Sequence, residues 1–231
     1  MDITESITRV DLKSDKDSHL KKRSDLHLAR KFWHMGGVSL IVALYAFLPE
    51  KTALVGLTIA WLLFVPMDFV RLRVSAMNDI LVHFFKPIMR EYELKGLAGT
   101  SYLLTGVTLV AYIFPREIVL LTLLFLAFAD PIASFFGIKF GKDKILGNKS
   151  LQGTLAAFVV CTLLTLSFLY YKGMLSDRLV IVSLLGGLIG AVAELVPIWD
   201  LDDNLSLPVV SATALYFLFS IFGAFSSYQV L

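Results

Sequence analysis

Charged residues are scarce in this sequence, and cysteine is almost absent. Only 17% of the 231 residues are charged, whereas 57% are hydrophobic. A soluble domain would have about a quarter of its residues charged, so the composition is that of a membrane protein. The one cysteine, Cys161, lies in an apolar run, which excludes an internal disulfide. The net charge of +2 is small and no separate soluble region has a basic face, so no nucleic-acid partner is expected.

The N-terminal region lacks the pattern of a secretory signal peptide. A polar stretch of about thirty residues precedes the first apolar run, and no A-x-A-like cleavage site follows that run. We therefore expect the apolar runs to remain in the mature protein. Residues 1–28 are predicted to form a polar cytoplasmic tail that is disordered or interfacial, and residues 29–231 a membrane-embedded domain.

Long apolar runs dominate the rest of the chain. A transmembrane helix needs about 20 predominantly apolar residues. Seven candidate runs lie at 33–48, 52–70, 97–114, 117–137, 153–171, 178–198 and 205–224. The predicted fold is therefore an all-α polytopic integral membrane protein with about seven transmembrane helices.

One connecting segment, residues 71–96, is predicted to contain a further helix. Val74, Met77, Leu81 and Phe84 recur there at helical spacing, and Pro87 follows them. Proline ends or bends a helix. The pattern indicates an amphipathic helix that lies at the membrane interface.

Lysine and arginine are distributed unequally between the two sides of the predicted bundle. Residues 1–31 carry eight, residues 71–96 five and residues 138–152 four, against four in all on the other side. Basic loops stay in the cytoplasm, so these three segments are predicted to be cytoplasmic. The acidic segment WDLDDN, residues 199–204, then also faces the cytoplasm.

Residues 128–154 combine an acid inside an apolar run with a loop of glycines and lysines. Asp130 lies several residues before the loop, and an ionised group within a span usually faces a partner or a wet cavity. Glycines allow close backbone approach to a ligand, and lysines with helix N-terminal N–H groups bind phosphate. The loop candidates are Gly137, Gly141, Lys142, Lys144, Gly147, Lys149, Ser150 and Gly153. The alternative is an ordinary basic loop, but Asp130 favours a nucleotide site.

Two further clusters carry polar side chains. Arg30 and His34, with Lys31 between them, are four positions apart and so share one helical face; the alternative is a basic anchor for anionic lipid. Glu194 precedes the acids Asp200, Asp202 and Asp203. Clustered carboxylates suit Mg²⁺ that is shared with substrate phosphates. Capping of the seventh helix is the alternative, and it accounts for one or two of these acids.

These clusters together predict a site at which a Mg²⁺–nucleotide acts on a lipid headgroup. Phosphoryl transfer needs positioning, charge neutralisation and a metal ion. The pattern G-x-x-x-x-G-K-[ST] is absent from the sequence, so a P-loop enzyme is excluded.

The ordered set of motifs resembles the CTP-dependent lipid kinases, which include dolichol kinase, phytol kinase and the CTP-dependent diacylglycerol kinase of fungi. The matching pieces are RKFWH, PMDFVRLR, REYE, GLAGTSYLLTG, FADPIASFFG-x₃-GK, NKSLQGT and E-x₈-DNLSLP, within residues 29–210. The resemblance implies transfer of the γ-phosphoryl group of CTP to the hydroxyl of a membrane lipid alcohol, with Mg²⁺. Polyprenol, phytol and diacylglycerol all stay open as acceptors.

Two other functions are alternatives. Phosphatidate cytidylyltransferases are similar in the first half of the pattern, but they end in H-G-G-x-x-D-R-x-D where this sequence has DDNLSLP. An ion-coupled transporter would place polar groups near the centre of several spans, whereas most charged residues here lie at one face.

The resemblance implies a role for each candidate residue. Mg²⁺ would be held by Asp130 and Asp203. The catalytic group would comprise Asp130, Asp203, Asn204, Glu194 and Lys149. CTP would be bound by Arg30, Lys31, His34, Gly137, Gly141, Lys142, Ser150 and Gly153. The general base and the oligomeric state stay open.

Overall fold

The computed structural model describes residues 28–198 and 201–225, and these are almost entirely helical. Residues 1–27 of the predicted tail lie outside the described residues, and Leu28 already begins the first helix. Trp199 and Asp200 of the acidic segment also lie outside them.

Each predicted apolar run coincides with a helix. The first three helices are α1 (Leu28–Phe47), α2 (Glu50–Arg73) and α3 (Ser75–Phe85). They are followed by α4 (Gly99–Ile113), α5 (Arg116–Leu124) and α6 (Asp130–Phe140). The last three are α7 (Leu151–Lys172), α8 (Leu179–Leu195) and α9 (Asp203–Ile221). A π-helical turn, Phe125–Ala129, joins α5 to α6, so that 116–140 is one helical span.

In the part of the chain that is described, five helical segments are long and apolar enough to cross a membrane. They are Glu50–Arg73, Arg116–Phe140, Leu151–Lys172, Ser176–Leu195 and Asp203–Ile221. Helix α4 is apolar but shorter, and α1 has basic residues in its first turn. The prediction of an all-α polytopic membrane protein is confirmed, whereas the number of spans stays a prediction.

The span 116–140 lies at the centre of the bundle. Of its apolar window, 67% is buried within the protein, more than in any other of the five segments. Ile118, Leu121, Phe125 and Leu126 are fully buried there. Because this span also carries Asp130, the acid is held on the most enclosed helix of the described residues.

Small residues allow α7 and α8 to pack closely. A Cβ atom at Gly186 would come within 2.8 Å of the Thr165 hydroxyl oxygen on α7. A Cβ atom at Gly187 or Gly190 would clash with other side chains of α7. The close packing that these glycines predict is therefore observed.

The segment 71–96 contains the predicted amphipathic helix, since α3 ends before Pro87. A 3₁₀ turn, Glu91–Leu94, follows it. The interfacial position of α3 stays a prediction.

The glycine-rich loop contains a small hairpin that was not predicted. Strands β1 (Lys144–Leu146) and β2 (Lys149–Ser150) pair in antiparallel fashion between α6 and α7. Gly147 occupies the turn with φ of +55°, a conformation that glycine adopts without steric cost.

Candidate active site

A cavity of about 490 Å³ lies where seven parts of the chain meet. Its walls come from the first turns of α1, α7 and α9, from α6, from the β1–β2 hairpin, from the C-terminus of α8 and from Arg90, which precedes the 3₁₀ turn. These parts are far apart in sequence, so the cavity depends on the packing of the whole bundle.

Nearly every residue that the sequence singled out lines this cavity. Those that do so are Arg30, Lys31, His34, Asp130, Gly137, Gly141, Lys149, Ser150, Gly153, Glu194, Asp203 and Asn204. Lys142 is the exception among the predicted site residues. Its side chain is exposed, and its backbone N–H donates to Gln152 Oε1 at 3.2 Å. The roles of all these residues stay predictions.

Lys149 connects two acids from different helices. Its Nζ donates to Glu194 Oε1 at 2.5 Å and to Asp203 Oδ2 at 3.4 Å. Burial alone would lower the pKa of Lys149, but the carboxylates of Glu194, Asp203 and Asp130 outweigh burial and raise it. Lys149 is therefore a cation at neutral pH that links the end of α8 to the start of α9.

Polar side chains from α1 face α6 and the turn before it. Lys31 Nζ donates to Ser134 Oγ at 2.5 Å. His34 Nε2 lies 3.0 Å from the carbonyl oxygen of Leu126 and 3.9 Å from Asp130 Oδ2. A carbonyl oxygen only accepts, so Nε2 carries the hydrogen that it donates. Leu126 belongs to the π-helical turn, a distortion that often occurs at functional sites.

Arg30 forms a buried ion pair with Glu93. Its Nη1 and Nη2 donate to the two carboxylate oxygens at 2.8 and 3.0 Å, and Nη1 also donates to the Ile88 carbonyl at 2.9 Å. Burial alone would raise the pKa of Glu93, but these bonds and the N–H groups of Arg90 and Gly99 lower it. Most of the Arg30 guanidinium is therefore occupied by protein groups, although the residue lines the cavity.

The glycines around the hairpin are required by helix packing. A Cβ atom at Gly153 would lie 2.9 Å from the Ala133 carbonyl oxygen, and one at Gly137 would lie 3.2 Å from Ser150 Oγ. Ser150 begins α7, and its Oγ accepts from the Gly153 N–H at 3.3 Å. These contacts give Gly137, Ser150 and Gly153 a role in helix packing and capping, in addition to the predicted role in nucleotide binding.

The acidic segment contains a helix cap. Asp202 Oδ1 accepts from the Asn204 N–H at 3.0 Å and from Asn204 Nδ2 at 2.7 Å, which caps α9. Capping thus accounts for Asp202, whereas Asp203 and Glu194 contact Lys149.

The carboxylates fit a metal ion that arrives together with a nucleotide. Within 28–198 and 201–225, no three His, Cys, Asp or Glu side chains form a preformed metal cluster. Mg²⁺ is usually bound by one or two carboxylates, substrate phosphates and waters. Asp130 and Asp203, both in the cavity wall, offer such hard oxygen donors.

Several cavity residues had no assigned role in the sequence analysis. They are Arg90, Pro131, Ala133, Ser134, Ile138, Leu146, Asn148 and Pro197. Arg90 is the first residue of the REYE motif, which was the one signal that could have identified it. Glu93, the last residue of that motif, was missed in the same way.

No protein-family model and no solved structure matches the chain. Among curated proteins, it is 38% identical over 161 residues to CTP-dependent diacylglycerol kinase 1 of Schizosaccharomyces pombe, which covers 64% of this chain and 73% of the relative. It is 31% identical over 165 residues to CTP-dependent diacylglycerol kinase 1 of Eremothecium gossypii, with 63% and 52% covered. It is 30% identical over 158 residues to the chloroplastic phytol kinase 1 of Arabidopsis thaliana, with 62% and 50% covered. The chain therefore spans about half the length of the last two relatives, and it belongs to the family of CTP-dependent lipid kinases.

Proposed function

We propose that this protein transfers the γ-phosphoryl group of CTP to the hydroxyl of diacylglycerol, in a reaction that depends on Mg²⁺. The lipid oxygen forms a bond to the γ-phosphorus, the bond from that phosphorus to the β-phosphate oxygen breaks, and the hydroxyl proton is released to solvent. The products are phosphatidate and CDP. The observation that carries this proposal is the cavity, where cations and carboxylates from distant parts of the chain converge at the ends of apolar helices.

The choice of diacylglycerol as the acceptor rests on a comparison of sequence similarity to two relatives. The chain is more similar to the fission-yeast protein named a diacylglycerol kinase than to the plant protein named a phytol kinase. We place the cavity on the cytoplasmic side, because the loops that line it carry most of the basic residues.

Each part of the cavity has a task in this reaction. Lys31 and Lys149 bind phosphate oxygens and neutralise part of their charge. Glu194 holds Lys149 in place through its short hydrogen bond. Asp130 and Asp203 would hold Mg²⁺, which when bound neutralises the remaining charge on the triphosphate.

The reaction is tested with the purified full chain in mixed micelles and CTP labelled at the γ-phosphate. We expect label in phosphatidate when diacylglycerol is present, with lower rates for phytol and dolichol and with ATP as donor. Chelation should abolish transfer and added Mg²⁺ restore it. Label released as pyrophosphate with phosphatidate as acceptor would instead identify a cytidylyltransferase.

Two neighbouring acids provide a matched pair of variants. Asp203→Asn should lower the rate roughly 10²–10⁴-fold, equivalent to about 3–5 kcal/mol of transition-state stabilisation, because a metal contact is lost. Asp202→Asn should lose much less, since Asn caps a helix as well as Asp does and its amide N–H can donate to the Tyr92 hydroxyl oxygen, which keeps the contact with Tyr92. Equal, small losses in the two variants at limiting Mg²⁺ would contradict the metal role of Asp203.

A further inference from the structure

Arg90 differs from Arg30 and Arg71 in its hydrogen-bond partners. Arg30 is paired with Glu93 and Arg71 with Asp68. Arg90 is partly buried and lines the cavity. Within the described residues, its side chain makes one hydrogen bond, from Nη1 to the Tyr92 hydroxyl oxygen at 3.0 Å. A guanidinium has five N–H donors, so most of this group remains available.

Arg90 and Lys31 lie among both acids and cations. Burial is the main cause that lowers the pKa of Lys31; the Asp130 carboxylate opposes burial, whereas the charges of Arg90, Lys149 and Arg30 add to it. Asp202 and Glu93 lie close enough to Arg90 to stabilise its charge. Arg30 and Lys149 are each hydrogen-bonded to carboxylates, whereas Lys31 contacts the neutral oxygens of Ser134 and Pro131. Arg90 and Lys31 are therefore cations that line one cavity, and neither side chain donates a hydrogen bond to a carboxylate of the described chain. Such an arrangement is stabilised when a multiply charged anion enters.

We propose that Arg90 binds the phosphates of the nucleoside triphosphate, and that Arg30 positions it. This inference rests on the proposed function, because it assigns a further ligand to the same nucleotide site. The planar fork of arginine donates two parallel hydrogen bonds to a phosphate, which a lysine cannot do.

The role of Arg30 follows from its partners. Glu93, which Arg30 holds through two hydrogen bonds, also accepts from the Arg90 backbone N–H at 2.7 Å. Arg30 thus fixes the backbone of Arg90 from a helix about sixty positions away in sequence. Its guanidinium acts through Glu93, which makes it a positioning residue.

Tyr92 orients the side chain of Arg90. The Tyr92 hydroxyl, which accepts from Arg90, donates to Asp202 Oδ2 at 3.1 Å. Asp202 caps α9, the helix that begins with Asp203. The chain of contacts from Arg90 through Tyr92 therefore sets the guanidinium relative to the start of α9.

The test measures anion binding separately from catalysis. Binding of CTP and of inorganic tripolyphosphate to the full chain in detergent is compared for the wild type, Arg90→Gln, Arg90→Lys and Lys95→Gln. Lys95 is exposed on the same segment and does not line the cavity, so Lys95→Gln controls for the loss of one charge. The KM values for CTP and for the lipid are measured in parallel.

We expect Arg90→Gln to weaken binding of both anions about 10- to 100-fold, the usual effect of losing charged hydrogen bonds. Arg90→Lys should recover part of this loss, the KM for lipid should stay unchanged, and Lys95→Gln should match the wild type. Unchanged tripolyphosphate affinity in a folded Arg90→Gln or Arg90→Lys protein would overturn the inference. A wild type that binds tripolyphosphate through Arg90 but phosphorylates no lipid would overturn the proposed function and leave the anion site standing.

Discussion

Glu93 is the residue whose replacement most directly tests the architecture beside the cavity. It is 2% exposed. Its carboxylate accepts four hydrogen bonds: from Arg30 Nη1 at 2.8 Å and Nη2 at 3.0 Å, from the Arg90 N–H at 2.7 Å and from the Gly99 N–H at 2.8 Å. Glu93→Gln preserves the volume of the side chain and removes its charge.

The expected loss in the free energy of unfolding follows from these four hydrogen bonds. The amide of Gln has one acceptor oxygen, and its NH₂ group would face N–H donors, so at least two of the four bonds are lost. A hydrogen bond to a charged group contributes about 1.5–3 kcal/mol, and removal of one member of a buried ion pair costs about 3–5 kcal/mol. We therefore expect Glu93→Gln to lower the free energy of unfolding by about 3–5 kcal/mol.

The loss is measured by thermal unfolding of the purified protein in detergent. For a domain of this size each kcal/mol lowers Tm by about 2–4 °C, so the expected decrease is roughly 6–20 °C. Glu91→Gln is the control, because Glu91 is exposed on the same turn and surface changes cost about 0.5 kcal/mol or less. If the two variants unfolded at the same temperature, the buried network would not have the strength argued for it.

The contribution of Glu93 to stability should also depend on pH. The pKa of Glu93 in the folded protein is lowered, so its stabilising effect is present above its unfolded pKa of about 4.3. The effect is lost as pH falls through the lower folded value. The difference in Tm between wild type and Glu93→Gln should therefore stay constant from about pH 8 to 5.5 and decrease below about pH 4. A difference that changed near neutral pH would point to another group.

Two further predictions concern packing and topology. Gly153→Ala should cost about 1–3 kcal/mol of stability, because its Cβ would meet a backbone carbonyl of α6. Gly56→Ala, with open space around it, should be neutral or slightly stabilising; equal Tm values for the two variants would contradict the packing argument. Single cysteines at Lys142 and Lys172, in a Cys161→Ser background, should react with impermeant thiol reagents from opposite sides of the membrane. Reaction of both from one side would contradict the predicted orientation.

The helices could be predicted because each depends on a local property of the chain. An apolar run of about 20 residues suits a lipid environment wherever it occurs, so the positions of α2, α7 and α9 follow from composition alone. The glycines of α8 predict its close contact with α7 for a similar reason, since small residues at a helical interface let the two backbones approach closely. The β1–β2 hairpin is too short for such a signal.

The hairpin also explains why the sequence predicts a role in CTP binding for Lys142 and none for Lys144, although both are loop candidates. Lys144 and Leu146 line the cavity, whereas Ile145 between them does not, because alternate residues of a strand point to opposite sides. A segment that is taken for a loop offers no such rule. The sequence therefore gave no basis for preferring Lys144 to Lys142.

Arg30 and Glu93 illustrate a second limit of the sequence. Each could be recognised as part of a motif, but their pairing joins residues 63 positions apart. Local periodicity carries no information on such a contact. Without knowledge of this contact, a basic residue at the mouth of a cavity is assigned to phosphate binding. The acid that forms an ion pair with it is then overlooked.

The acidic segment was ambiguous for a different reason. Helix capping and ligand binding both favour acids at a helix start, so WDLDDN fits either explanation as a whole. The structure shows which of the two acids caps the helix. Asp202 precedes the first helical residue and turns back to cap α9, whereas Asp203, one position later, reaches Lys149. Successive helical residues differ by about 100° in direction, so one short segment can begin a helix and also contribute a carboxylate to the cavity.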